Sequence, residues 1–200
     1  MRPFSQNSLS CMLDVSVIIT SFDTRKLTLD AINSILTEGS NLSKEIITID
    51  NASSDGSVIS LTQLSDKGKI KLIKNTTNLG FAKANNQGLK IAKGKYLFLL
   101  NSDTVVKKGV LKRLIVFAER TKSTGVVAPR LINPDGSIQA SCFRLPTLTK
   151  AVRQYWLGEA SLLDKYYPRS SNPSEVESVV MAAFLITSEA YKKVGFLDER

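Results

Sequence analysis

Apolar residues fall along this chain in short unbroken runs separated by stretches with helical spacing, and the two kinds alternate. Val15-Ser16-Val17-Ile18-Ile19-Thr20 is a β-branched run that predicts a buried strand. Leu27, Leu29, Ile32, Ile35 and Leu36 then recur at helical intervals, with Asp23 or Thr24 placed to cap the helix. Glu45-Ile46-Ile47-Thr48-Ile49-Asp50 predicts a second strand, and the polar turn Asn51-Ala52-Ser53-Ser54-Asp55-Gly56-Ser57 leads into a short helix carrying Val58, Ile59, Leu61 and Leu64. A third strand is predicted over 70–74, a further helix opens after Asn78-Leu79-Gly80-Phe81, and Tyr96-Leu97-Phe98-Leu99-Leu100 follows. A run of large apolar residues with no polar face fits a strand covered on both sides, as in parallel sheets. Strand-helix alternation implies parallel pairing with right-handed crossovers, so helices are expected on both faces of the sheet.

After Asp103 the pattern changes. A helix is predicted over 109–120, then an apolar segment at 125–130. Asn133-Pro134-Asp135-Gly136 sits between Leu131-Ile132 and Ser137-Ile138-Gln139-Ala140, a hairpin signal. Residues 144–174 are the least regular part and carry the only tryptophan, Trp156. Strand character returns at 175–180 and 183–186, and Ser188 is placed to cap a short helix ending at Gly195. The fold class is therefore α/β: a Rossmann-like, mostly parallel sheet with a C-terminal hairpin or mixed-sheet portion. Residues 1–13 read as a flexible leader and 14–200 as one domain, truncated at its C-terminal end.

Composition narrows the function. No apolar run approaches the roughly 20 residues of a membrane span, and the first dozen residues lack the apolar core of a secretory signal. Two cysteines, Cys11 and Cys142, support neither a disulfide framework nor a thiolate metal site, which favours a reducing, cytoplasmic setting. The absence of histidine excludes imidazole bases and histidine-activated nucleophiles. A formal net charge of +9 attracts nucleic acid, anionic headgroups and phosphorylated small molecules alike. The basic residues between Lys107 and Lys122 lie on a predicted helix and read best as a solvated face. The interleaving of aromatic and basic residues found in RNA-binding sheets is missing, which argues against nucleic acid.

The candidate chemistry centres on Asn101-Ser102-Asp103-Thr104, where the most apolar strand ends. Ligands of open parallel sheets sit at the carboxyl ends of the strands. Asp103 there can hold a divalent cation through its oxygens; the other reading is a polar turn capping the next helix.

Five segments taken together carry more. They are Val15 to Ser21, Asp50 to Ser57, Asn78-Leu79-Gly80-Phe81-Ala82, Leu100-Asn101-Ser102-Asp103-Thr104 and Val194-Gly195-Phe196-Leu197-Asp198-Glu199. In this order and spacing they resemble the family 2 glycosyltransferases, particularly the rhamnosyltransferase-like branch. The resemblance spans nearly the whole chain. It implies a GT-A fold, a nucleotide-sugar donor of the UDP or dTDP type, a divalent metal (Mn²⁺ or Mg²⁺) and an inverting displacement at the anomeric carbon. The acceptor would be a hydroxyl of a glycan or lipid-linked molecule, with the enzyme at the inner face of the membrane as a peripheral protein.

On that resemblance Asp103 is the metal-holding acid, with Asn101 and Ser102 beside it at the donor. Asn101 stands where the family's first acid would be and adds no charge. Thr20, Ser21 and Asp23 match the nucleotide-contacting turn, and Asp50 with Asn51 the pair that reads the base. An Asx turn and helix cap is the alternative for 50–55. Lys83 and Asn86 lie on the helix whose N-terminus would face the diphosphate, Lys83 as a phosphate partner or a solvated lysine. Asp198 and Glu199 match acids that line the acceptor side; they are expected at a frayed terminus, with the general base beyond Arg200. Two alternatives stand beside the enzyme: a nucleotide-sugar binding module without catalysis, and a sugar-1-phosphate nucleotidylyltransferase. Thr20-Ser21-Phe22-Asp23 lacks the glycine-rich basic loop the last of these requires.

Overall fold

The computed structural model of the chain describes residues 13–121, 123–159 and 163–200. The leader read at 1–13, apart from Leu13, and Cys11 lie outside the described residues. The first half follows the alternation of the sequence: β1 (Val15–Ser21), α1 (Arg25–Leu36), β2 (Lys44–Asp50), α2 (Ser57–Asp66), β3 (Lys71–Lys74), α3 (Phe81–Ile91) and β4 (Tyr96–Asn101). The second half holds α4 (Val110–Arg120), β5 (Val126–Val127), β6 (Cys142–Phe143), α5 (Leu148–Tyr155), β7 (Ser178–Val179), β8 (Ala183–Thr187) and α6 (Ser188–Val194).

The main sheet runs β3-β2-β1-β4-β8-β5. Pairs among β1 to β4 are parallel, while β8 lies antiparallel against both β4 and β5. The mixed portion expected from the sequence is thus a returning strand at one flank. Its apolar faces are covered by different helices. Val15, Val17 and Ile19 pack with Ile32 and Ile35 of α1, Leu61 of α2 and Leu111, Leu114 and Ile115 of α4. Ile18, Ile47 and Ile49 face the other way, onto Ala84 and Leu89 of α3 and toward Tyr191 and Leu197. Gly88 permits this second packing: a Cβ there would lie 2.6 Å from Ile18 Cγ2 and 3.0 Å from Ile49 Cδ1.

Several local expectations are corrected. Neither Asp23 nor Thr24 caps α1 by its side chain; Asp55 does, from another loop. Ile59, read as a core position, is 66% exposed, and Leu27 and Leu36 are also exposed. The strand expected over 175–180 shortens to Ser178–Val179, paired with β6 in a separate two-stranded sheet. The irregular stretch contains helix α5, with Thr147 accepting the Lys150 N–H at 3.2 Å. Thr187, not Ser188, caps α6 by accepting the Ala190 N–H at 3.2 Å. The hairpin around Asn133 is present as a single Ile132–Ile138 bridge.

Candidate functional site

Parallel pairing brings the carboxyl ends of β2, β1 and β4 to one edge. Ser21 stands opposite Asp50, and Thr20 opposite Asn101, so Thr20, Ser21, Asp50, Asn51, Asn101, Ser102 and Asp103 share that edge. The loops behind them are laced together. Ser53 Oγ accepts the Asp23 N–H at 3.0 Å, and Asp23 Oδ1 accepts the Ser54 N–H at 2.7 Å. Thr24 Oγ1 donates to Ser102 Oγ at 3.1 Å, which ties the first loop to the end of β4. Asp23 (φ 49°) and Ala52 (φ 70°) both occupy the left-handed region here, a conformation non-glycine residues hold only when their surroundings enforce it.

Asp50 is fully buried. Its Oδ2 accepts the Ser53 N–H at 3.1 Å, but among the described residues Oδ1 has no partner, and neither does the buried Thr20 Oγ1. A buried polar atom left unpaired costs about 1–3 kcal/mol, so each of these strand ends would gain from a ligand that supplies a hydrogen bond; Thr48 Oγ1, inside β2, and Glu38 Oε2, beyond α1, are also unpaired among the described residues. Ser21, by contrast, is occupied: its hydroxyl pairs with Thr28 Oγ1 at 2.8 Å inside the protein.

Asn51 is turned to a purpose the sequence did not reveal. Its Oδ1 accepts from Asn75 Nδ2 at 3.0 Å and from the Leu79 N–H at 3.1 Å, while its Nδ2 donates to Asn78 Oδ1 at 2.6 Å. Asn75 in turn exchanges hydrogen bonds with Gln87 at 2.9 Å each way. The amide of Asn51 therefore fixes the loop that enters α3. The density of amides at 75–87 was the available signal for this network.

Asp103 is exposed, and among the described residues its carboxylate accepts only from the Thr104 hydroxyl, at 3.3 Å. The helix-cap reading does not hold, because α4 starts at Val110 with Gly109 as its N-cap. Asn101 and Ser102 flank it, half-buried. No group of three or more acidic or thiol side chains able to hold a metal occurs among the described residues. The exposed Asp103 carboxylate could give a hard cation one protein ligand, with further oxygens coming from a bound diphosphate, a combination Mg²⁺ and Mn²⁺ tolerate.

Lys83 is exposed on the first turn of α3, but Asn86 is 1% exposed and committed elsewhere. Its Oδ1 accepts the Leu197 N–H at 2.9 Å, and its Nδ2 donates to the Leu197 carbonyl at 2.9 Å and to Glu199 Oε1 at 2.8 Å. The acidic segment expected at a frayed end is therefore clasped to α3. The Arg200 guanidinium and N–H hold the Asp198 carboxyl below the usual aspartate range. No helix of the described residues is long and apolar enough to cross a membrane.

Comparison with known proteins agrees with this architecture. The sequence profile of Glycosyl transferase family 2 matches residues 16–159. The putative teichuronic acid biosynthesis glycosyltransferase TuaG of Bacillus subtilis is 32% identical over 125 residues, 62% of this chain and 49% of its own length. Staphylococcus aureus TarS, solved with UDP, superposes with a TM-score of 0.61 at 19% identity over 94% of this chain and 51% of that one. The mannosyltransferase PcManGT of Pyrobaculum calidifontis, solved with GDP-Man and Mn²⁺, gives a TM-score of 0.60 at 16% identity over 95% and 49%. The chain spans about a third to a half of the length of the curated relatives it matches. With a profile match over most of its length and the GT-A architecture of these neighbours, the chain belongs to glycosyl transferase family 2.

Proposed function

We propose that this chain forms the donor-binding part of an inverting glycosyltransferase that moves a sugar, rhamnose or one similar, from a nucleoside diphosphate to a hydroxyl of a glycan or lipid-linked acceptor. The observation that carries the reading is the pair of buried, unpartnered oxygens, Asp50 Oδ1 and Thr20 Oγ1, on the same sheet edge as the exposed Asp103. Asp50 accepts from a base or ribose N–H or O–H; Thr20, in register with Ile49 rather than Asp50, presents its hydroxyl on the opposite face of the same strand ends. Lys83 offers a point charge to a phosphate at the start of α3. Asp103, with Asn101 and Ser102 beside it, holds the cation. A bound Mn²⁺ or Mg²⁺ neutralises charge that develops on the diphosphate as it leaves. Asn51 keeps the α3 entry loop in place, and Asp23 does the same for the β1–α1 loop. The complexes named for the structural neighbours, with UDP in one and GDP-Man with Mn²⁺ in the other, support a nucleotide-sugar donor and a metal.

Calorimetric titration with UDP, dTDP and GDP, each with and without Mn²⁺, tests the reading. One nucleotide diphosphate should bind, and its affinity should rise with metal. No binding by the folded protein, or affinity indifferent to metal, would overturn it.

A further inference from the structure

Asn86 lies on the middle of α3, the helix pressed closest to the sheet through Gly88. Both hydrogens of its carboxamide nitrogen and its oxygen are used, and every partner belongs to one segment, Leu197 to Glu199. The exchange with Leu197 copies the two-bond pairing of a β-bridge, with a side-chain amide standing in for a backbone amide. The Asn86 side of the exchange is buried, while its partners are half-buried or exposed. Neighbouring contacts hold the same segment from other directions. The Leu197 side chain packs on the cluster of Ile18, Ala84, Leu89 and Phe184. The Phe196 ring meets Tyr191 edge-on at 5.7 Å and lies under Lys90 Nζ at 5.4 Å. Gly195, at φ 83°, turns the chain out of α6 and back across α3.

We infer that Asn86 is a positioning residue: it suspends Asp198 and Glu199 from the donor-side helix, so that the acidic pair is held at the site by α3 and not by its own backbone. This assignment rests on the reading of Asp198 and Glu199 as the acceptor side. It replaces the direct donor contact that the sequence alone suggests for Asn86. With both of its N–H groups donating within the protein, the Asn86 amide has no donor left for a nucleotide. The clasp also explains how a polar side chain can be 1% exposed on this helix: the segment that covers it pairs its amide.

Three variants test it in the full chain: Asn86→Asp, Glu199→Ala and the exchanged pair Asn86→Asp/Glu199→Gln. Asn86→Asp keeps the acceptor for the Leu197 N–H, removes both donations and sets a carboxylate against Glu199. Amide hydrogen exchange at Leu197 should then accelerate by at least about tenfold, while UDP affinity measured by calorimetry stays within about threefold of wild type. The exchanged pair restores a donor facing an acceptor and should recover part of the protection. Glu199→Ala changes only an exposed side chain, so it reports even where Asn86→Asp fails to fold; it too should speed Leu197 exchange. Where a nucleotide-sugar donor is turned over, Asn86→Asp should lower kcat with the donor KM unchanged. Loss of UDP affinity by about tenfold or more with Leu197 exchange unaltered would show Asn86 to be a donor ligand and overturn the inference. Unaltered exchange in both single variants would also overturn it. If wild-type protein binds no nucleotide, the proposed function fails, while the exchange measurements still decide the clasp.

Discussion

The Asp55 carboxylate accepts the backbone N–H of Arg25 at 2.8 Å, so helix α1 is capped from the loop that precedes α2. The other oxygen of the same carboxylate accepts the Ser57 N–H at 3.0 Å and its hydroxyl at 2.5 Å, at the first residue of α2. One side chain therefore serves two helix N-termini and locks two site-forming loops together. The Ser57 hydroxyl and the Arg25 N–H hold the Asp55 carboxyl below its ordinary value of 3.8. A group with a depressed folded pKa stabilises above the unfolded value and loses that contribution as pH falls through the folded one. Asp55→Ala should lower the thermal midpoint at pH 7, and the difference from wild type should shrink as pH drops below 3.8. Both trends are read from thermal melts across a pH series.

Asp50 and Asp103 should separate by the ligand used. Asp103→Asn should reduce Mn²⁺-dependent UDP affinity by at least about tenfold and leave uridine binding and the ligand-free thermal midpoint unchanged, because the residue is exposed and supports no backbone group. Asp50→Asn should weaken uridine and UDP alike while leaving the ligand-free midpoint little changed, since the amide oxygen can still accept the Ser53 N–H. Calorimetry with both ligands and a melt of each variant check the pair. Uridine loss on Asp103→Asn would place that residue at the base instead.

At the far edge of the sheet, Glu45 should govern acid stability. It is buried, and it accepts from Ser16 Oγ at 2.5 Å, Lys71 Nζ at 2.6 Å and the Lys93 N–H at 2.7 Å. Burial pushes its carboxyl up, but Lys71, Ser16 and the Lys93 N–H together bring it below the ordinary glutamate value of 4.5. The stability it supplies is present above that value and fades as pH falls below it. Glu45→Gln should cost about 1–3 kcal/mol at pH 7 and flatten the acid limb of a denaturation series.

Two glycines should respond unequally to alanine. A Cβ on Gly94 would run into the Ser16 amide nitrogen and lie 2.6 Å from the Val15 carbonyl carbon, both backbone atoms at the start of β1. On Gly88 it would meet only the side chains of Ile18 and Ile49, which can shift. Overpacking typically costs about 1–3 kcal/mol; Gly88→Ala should fall in that range and Gly94→Ala at or beyond its upper end. Urea denaturation of the two variants gives the comparison.

The parallel half of the fold was legible because its strands are apolar on both faces and its helices keep a clean period. The bounds of the short strand β7 were not, since a two-residue ladder leaves no periodic trace: strand character expected over 175–180 narrows to Ser178–Val179. Helix α5 was hidden because its apolar positions, Leu148, Val152 and Tyr155, pack on nothing that would mark them as core. For the site, the sequence placed Asp50 and Asp103 at strand ends, and the structure puts them there. The protein partners of Asn51 and Asn86 were not legible for one reason. An amide's partners depend on tertiary neighbours, here Asn78 and Leu197, that lie 27 and 111 residues away in sequence.

The antiparallel return of β8 has a consequence for synthesis. Strand β1 finds both of its neighbours once β4 has emerged, so residues 13–101 can assemble a four-stranded sheet on their own. The outer edge of β4, five apolar residues from Tyr96 to Leu100, must then wait for β8, made about 80 residues later. At ribosomal rates of about 5–20 residues per second that wait lasts roughly 4–16 s. For this interval the nascent chain presents a flat apolar strand with unpaired amides and carbonyls, a template for pairing with other chains. Slow translation between Asn101 and Ala183 should therefore lower soluble yield, and trigger factor-type holdases that cover the Tyr96–Leu100 edge should restore it.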